Sequence, residues 1–153
     1  MGTSSALAAG VGYTAQPWAG CEGGFNAGSS DASGRTYVPC GTSSVVGVYD
    51  ASGALVDQID LGVFATDVAP TRDGSAVYVA NYGRPFRMER QSDGTWRKGA
   101  WSPAAYQLGG QQYAAGGLSV ATDAAGNVYL ADGAWAPNQT NTVVKYGPDG
   151  RVL

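Results

Sequence analysis

Three oxygen-bearing side chains, Asp67, Asn81 and Asp132, stand near the ends of short β-rich runs in this chain. Carboxylate and amide oxygens with no nitrogen ligand beside them suit a hard cation, Ca2+ rather than Zn2+. The competing reading is that Asn81 and Asp132 cap tight turns by accepting from their own backbone. A second group is aromatic and polar. Tyr82 and Arg84 lie in one candidate loop, and Trp135 and Asn138 lie in another, longer one. Long loops on a rigid scaffold are where binding residues collect, and such a patch would suit a sugar or peptide. The alternative folds Trp135 back over a sheet edge. Asn138-Gln139-Thr140 also matches a glycosylation sequon, which matters only in an exported eukaryotic protein.

Other chemistry is excluded by what is missing. The 153 residues include no His, so a Ser-His-Asp triad, a Cys-His pair or a zincin site cannot form within the chain. Gly109-Gly110 and Gly116-Gly117 are not phosphate loops, because no Lys and no helix follow them. The formal net charge of −3 makes nucleic acid a poor partner. No apolar run has the length of a membrane helix. Arg84, Arg87, Arg90, Arg97 and Lys98 concentrate much of the positive charge, and they read as a solvated strand face rather than an anion site.

These residues must be positioned by strands. Gly, Ala, Ser, Thr, Tyr and Val dominate while Lys, Glu and Leu are scarce, which is the palette of short strands and tight turns. A pattern recurs at a period of about 40–50 residues. It runs through Asp31-Ala-Ser-Gly34-Arg-Thr-Tyr37-Val38-Pro-Cys40, Arg72-Asp73-Gly74-Ser-Ala-Val77-Tyr78-Val79-Ala-Asn81 and Asp123-Ala-Ala-Gly126-Asn-Val128-Tyr129-Leu130-Ala-Asp132. Each is a glycine turn followed by a strand centred on Tyr. A strand–glycine turn–strand segment trails each one, around Gly53, Gly94 and Gly150. A small-residue strand precedes each Tyr run: Phe25 to Ser29, Thr66 to Ala69 and Leu118 to Ala121. Four strands per unit at this period predict a propeller blade, with a β-sandwich as the alternative.

Over roughly residues 24–153 the sequence resembles the NHL and YVTN-type β-propeller repeat families. Ser119 to Asp132 followed by Val143 to Gly150 looks like an NHL repeat, and Val77-Tyr-Val-Ala-Asn81 looks like a YVTN-type strand. The resemblance implies an all-β fold of three four-stranded antiparallel blades, at about 24–62, 63–101 and 102–153. Residues 1–23 form an N-terminal segment that could supply an outer strand. Three blades do not close a ring, so the expected partners are a second copy, giving a six-blade ring, or the remaining blades of a parent protein. Strand ends Cys40, Asn81 and Asp132 fall on one rim of such a fan. Cys21 falls there too, so a Cys21–Cys40 disulfide is expected, worth ~3 kcal/mol in the loop-entropy model; two reduced, buried thiols are the alternative. With an even cysteine count this suggests a secreted, periplasmic or extracellular protein. Gluconolactonase-like propellers, a related family, bind a divalent ion at this mouth, and Asp132 matches their position after a Tyr-containing strand. An acidic match in the first unit and the expected His are lacking. The resemblance is specific for fold and nearly silent on function. The expected function is a non-enzymatic exported module for binding or assembly, with a lactonase-like, divalent-metal-dependent hydrolase or lyase as the alternative.

Overall fold

In the computed structural model, the described residues are 7–8, 11–12, 27–41, 43–132 and 140–153. They form an all-β protein whose strands all pair antiparallel. Sheet I follows chain order through β3 (Ser29–Ser30), β4 (Thr36–Pro39), β5 (Val45–Tyr49) and β6 (Leu55–Asp60). Sheet II does the same with β7 (Asp67–Pro70), β8 (Ala76–Ala80), β9 (Phe86–Arg90) and β10 (Trp96–Lys98). Sheet III holds β13 (Ser119–Thr122), β14 (Val128–Asp132) and β15 (Thr142–Tyr146). Its outer position is taken by a single bridge from Val152 to Tyr146. Two hairpins stand apart: β1 (Leu7–Ala8) with β2 (Val11–Gly12), and β11 (Tyr106–Leu108) with β12 (Gln111–Tyr113). No helix among the described residues is long and apolar enough to cross a membrane.

The hairpin turns share one stereochemical device. Gly34, Gly53, Gly74, Gly94, Gly126 and Gly150 each donate N–H to the carbonyl three residues back, and each has φ between 68° and 83°. Only glycine enters that left-handed region without a Cβ penalty. A carboxylate closes every one of these turns, from either of two positions. Asp31, Asp50 and Asp123 occupy the first turn residue, and Asp73, Asp93 and Asp149 the residue before the glycine. From both places Oδ1 accepts the N–H two residues on, as in Asp50 with Ser52 at 2.8 Å and Asp93 with Thr95 at 2.9 Å. Thr71 and Asp73 share this duty in their turn.

Alternation along each strand then sorts side chains between neighbouring sheets. Tyr37, Val46, Val48 and Ile59 of sheet I pack against Val68, Val77, Val79, Phe86 and Met88 of sheet II. The other face of sheet II, with Ala69, Tyr78 and Ala80, packs against Val120, Val128, Leu130, Val144 and Tyr146 of sheet III. The first strands of the sheets are adjacent: β7 touches both β3 and β13. Ser29 Oγ donates to Val68 O at 2.8 Å and Thr122 Oγ1 donates to Pro70 O at 3.0 Å across these seams. Small side chains are required there, because three backbones converge. At the outer end, Trp96 Nε1 donates to Asp57 Oδ2 at 3.0 Å and ties β10 to β6.

Stacking leaves unequal ends. Tyr37, Tyr78 and Tyr129 hold corresponding places, paired across to Ser29, Ala69 and Ala121. Tyr37 and Tyr78 are buried under the following sheet, whereas Tyr129 is half-buried and Val143 on the same face is 65% exposed. At the opposite end, Val38, Cys40 and Tyr49 are buried although they belong to neither inter-sheet core. The Tyr49 ring lies over Gly47, where a Cβ would come within 2.7 Å of it.

Candidate functional site

Asp67, Asn81, Tyr82 and Asp132, singled out by the sequence, collect on the rim where β7 begins and where β8 and β14 end. The second and third small-residue strands sit one residue later than expected, and Asp67 opens β7 rather than lying near its end. Asp67 is 6% exposed. Its Oδ1 accepts Val68 N–H at 2.8 Å, and its Oδ2 accepts both the Ser119 hydroxyl and Val120 N–H, the latter at 3.0 Å. This carboxylate staples sheet II to sheet III. Such a role needs a buried acceptor with two oxygens facing different strands.

Asn81 follows β8 directly and is half-buried. Its Oδ1 accepts Gly83 N–H at 3.1 Å, which is the turn-capping role weighed against a ligand role. Asp132 ends β14. Its Oδ2 accepts the Tyr106 hydroxyl, and Tyr106 Oη lies 2.6 Å from Thr140 Oγ1. Tyr106 thus clasps together the two ends of the connection from β14 to β15. Burial first, and then the Asp132 carboxylate, push the Tyr106 phenol above its ordinary value of 10.0. Among the described residues no group of three or more His, Cys, Asp or Glu is placed to hold a metal ion. The side chains of Asp67, Asn81 and Asp132 act separately, in a staple, a turn cap and a clasp.

The aromatic candidates fare differently. Tyr82 is 62% exposed, and its ring stacks on Phe64 with centroids 6.0 Å apart and planes at 9°. Phe64 comes from the loop between β6 and β7, is 38% exposed, and was not among the sequence candidates. Its signal was available: Val63-Phe64 is an apolar pair just beyond the turn glycine Gly62. Arg84 is exposed beside this pair and makes no ion pair among the described residues. Trp135, Asn138 and Cys21 lie outside the described residues. Sequence reasoning also missed Tyr106 and Tyr113, whose rings stack at 5.6 Å and 23° in the β11–β12 hairpin. Leu108-Gly-Gly-Gln111 is a two-residue glycine turn between β-formers, and that was the signal.

The basic residues are largely engaged. Arg87 pairs with Glu89 and lies over the Tyr78 ring at 5.8 Å. Arg90 reaches Asp57 at 3.7 Å, and Lys98 sits 4.5 Å over Phe86. Against the opposite rim, Ser30, Asp31, Arg72, Pro70, Thr122 and Asp123 line an open groove of ≈ 320 Å3. Its carboxylates belong to the hairpin turns. Burial works to raise Asp31, but bonds from Ser33, Arg35 and Tyr37 hold it below its ordinary value. The Asn127 side-chain amide leads the donors that lower Asp123 to about 2.

No family model matches this chain, and no curated protein does. Its function therefore rests on the geometry of the two rims.

Proposed function

We propose that these three sheets are blades of an incomplete β-propeller of NHL or YVTN type, acting as a non-enzymatic, exported binding module. The observation that carries this reading is the exposed Phe64–Tyr82 stack on a rim where Asp67, Asn81 and Asp132 each bond to groups of the scaffold. Exposed aromatics on rigid loops favour recognition over catalysis, since a catalytic centre needs convergent titratable groups free to act. Adjacent inner strands and successive face-to-face sheets support the propeller reading. The open face of sheet III, with Tyr129 and Val143, supports a further sheet there, from a second copy or from further blades of the same polypeptide. A Cys21–Cys40 bridge in an exported chain accords with the buried position of Cys40.

The test is binding to glycan and peptide arrays by wild type, Tyr82→Ala and Arg84→Ala. Captured ligands should be lost in Tyr82→Ala at unchanged melting temperature. Binding indifferent to both substitutions removes the rim from the reading. Light scattering on the eluted protein decides whether a second copy closes the sheet III face.

A further inference from the structure

We infer that the rim of sheets II and III is a track for a neutral polysaccharide chain; this rests on, and deepens, the reading of that rim as a binding surface. Tyr82 and Phe64 form one end, with their rings near parallel and Tyr82 the more exposed. Tyr113, half-buried and stacked on Tyr106, forms the other. Glycines lie between them. A Cβ on Gly117 would sit 3.6 Å from both Ala80 and Pro85, so this residue packs against the strand and loop that carry Tyr82. A Cβ on Gly116 would sit 3.3 Å from Asp132 Oδ1. The segment is held in place by Leu118 N–H donating to Ala131 O at 3.0 Å. Gly117 is buried and Gly116 half-buried, so the backbone there runs past the Asp132 carboxylate towards the loop of Tyr82 without adding a side chain to the surface.

That carboxylate has one oxygen committed and one open. Oδ2 of Asp132 is fixed by Tyr106, while Oδ1 accepts no hydrogen bond among the described residues. An acceptor held rigid on one side and open on the other suits a hydroxyl donor. Aromatic ring faces carry negative potential and meet the polarised C–H face of a pyranose. Charge selects among polymers. Asp132 opposes an anionic chain and the unpaired Arg84 opposes a cationic one, whereas a neutral polyol can donate to the first and accept from the second.

The test is affinity electrophoresis of the full chain in gels containing soluble neutral polysaccharides, namely a β-glucan, a xylan and a mannan. Polyuronate and dextran sulfate gels serve as charged counterparts, and a peptide array runs in parallel. Retardation by a neutral gel is expected, with about tenfold or greater weakening in Tyr82→Ala and retention in Tyr82→Trp. Asp132→Asn, which keeps an acceptor, should weaken it less. Equal retardation of wild type and Tyr82→Ala overturns the track, as does retardation by the charged gels alone. If no polysaccharide retards the protein but a peptide is captured in a Tyr82-dependent manner, the saccharide assignment fails and the rim survives as a binding surface. If nothing Tyr82-dependent is captured, both fail.

Discussion

Replacing Asp67 by Ala removes the staple between sheets II and III, and its cost can be worked from the contacts. Three donors lose their acceptor: Val68 N–H, Val120 N–H and the Ser119 hydroxyl. Ser119 is exposed and water replaces the lost bond at little cost. Val120 is buried, and its N–H faces the seam where β7 meets β13. A hydrogen bond to a charged acceptor contributes about 1.5–3 kcal/mol, and a stranded buried donor costs about 1–3 kcal/mol. The expected loss is about 3 kcal/mol, or ~6–12 °C in melting temperature for a chain of this length. Asp67→Asn keeps one acceptor oxygen and should cost about a third as much. Asn81→Ala on the same rim loses only a bond to the exposed Gly83 N–H and should cost about 0.5 kcal/mol or less. Urea unfolding followed by Trp fluorescence, with thermal melts alongside, measures all three. An Asp67→Ala protein melting within ~2 °C of wild type would refute the reasoning, because the rim carboxylate would then be doing something other than joining sheets.

Acid sensitivity is expected from the turn carboxylates. Asp73, held to about 2 chiefly by the Thr71 hydroxyl and then by Ser75, and Asp123, also at about 2, sit below their ordinary 3.8. A lowered folded-state value means stability present above 3.8 and lost as pH falls towards 2, so the urea midpoint should drop across that window and drop less in an Asp73→Asn/Asp123→Asn protein. At the alkaline end, burial raises Tyr37 and Tyr146 to about 12, so their contribution is present below 10.0 and lost as pH rises through 12; phenolate absorbance should show at least two tyrosines titrating late. Gly126→Ala, at φ 81°, should cost about 1–2 kcal/mol, whereas Gly83→Ala, whose Cβ would meet nothing closer than 3.7 Å, should lie within about 0.5 kcal/mol of wild type. Millimolar Ca2+ should leave the melting temperature unchanged, since among the described residues no three acidic groups converge on one point; a rise of several degrees would restore the metal-dependent reading.

The turns were legible because their cause is local. A glycine in the left-handed region with an Asp one or three residues before it leaves the same mark wherever it occurs, so the hairpins around Gly34, Gly74 and Gly126 could be read from the repeat alone. The strand between them was legible through Tyr37, Tyr78 and Tyr129, whose alternation with valine sorts faces. The β11–β12 hairpin was missed because Gly109-Gly110 was weighed as a phosphate loop and not as a turn. Asp67 was found as a position but not as a role. Its partner Ser119 lies 52 residues away, and no periodicity in sequence announces which strand a buried carboxylate will face. Phe64 was missed for the same reason: it gains meaning only from Tyr82, which a different loop delivers.

The two rims differ in what their polar groups are free to do. The six glycine hairpins of sheets I, II and III turn at one rim, and in each the turn carboxylate accepts a backbone N–H of its own turn. Acidic residues are therefore numerous there without being available, since moving one onto a ligand would strand the donors it leaves. The other rim is made of the connections from β4 to β5, from β8 to β9 and from one sheet to the next. The connections from β6 to β7 and from β8 to β9 leave side chains such as Phe64, Tyr82 and Arg84 exposed. On the proposed reading, the hairpin aspartates serve stability and Tyr82 of the other rim serves recognition. Substitutions at the hairpin aspartates should move the unfolding midpoint and spare ligand capture, and substitutions at Tyr82 should do the reverse; a hairpin variant such as Asp93→Ala that lost capture while keeping its melting temperature would break this division.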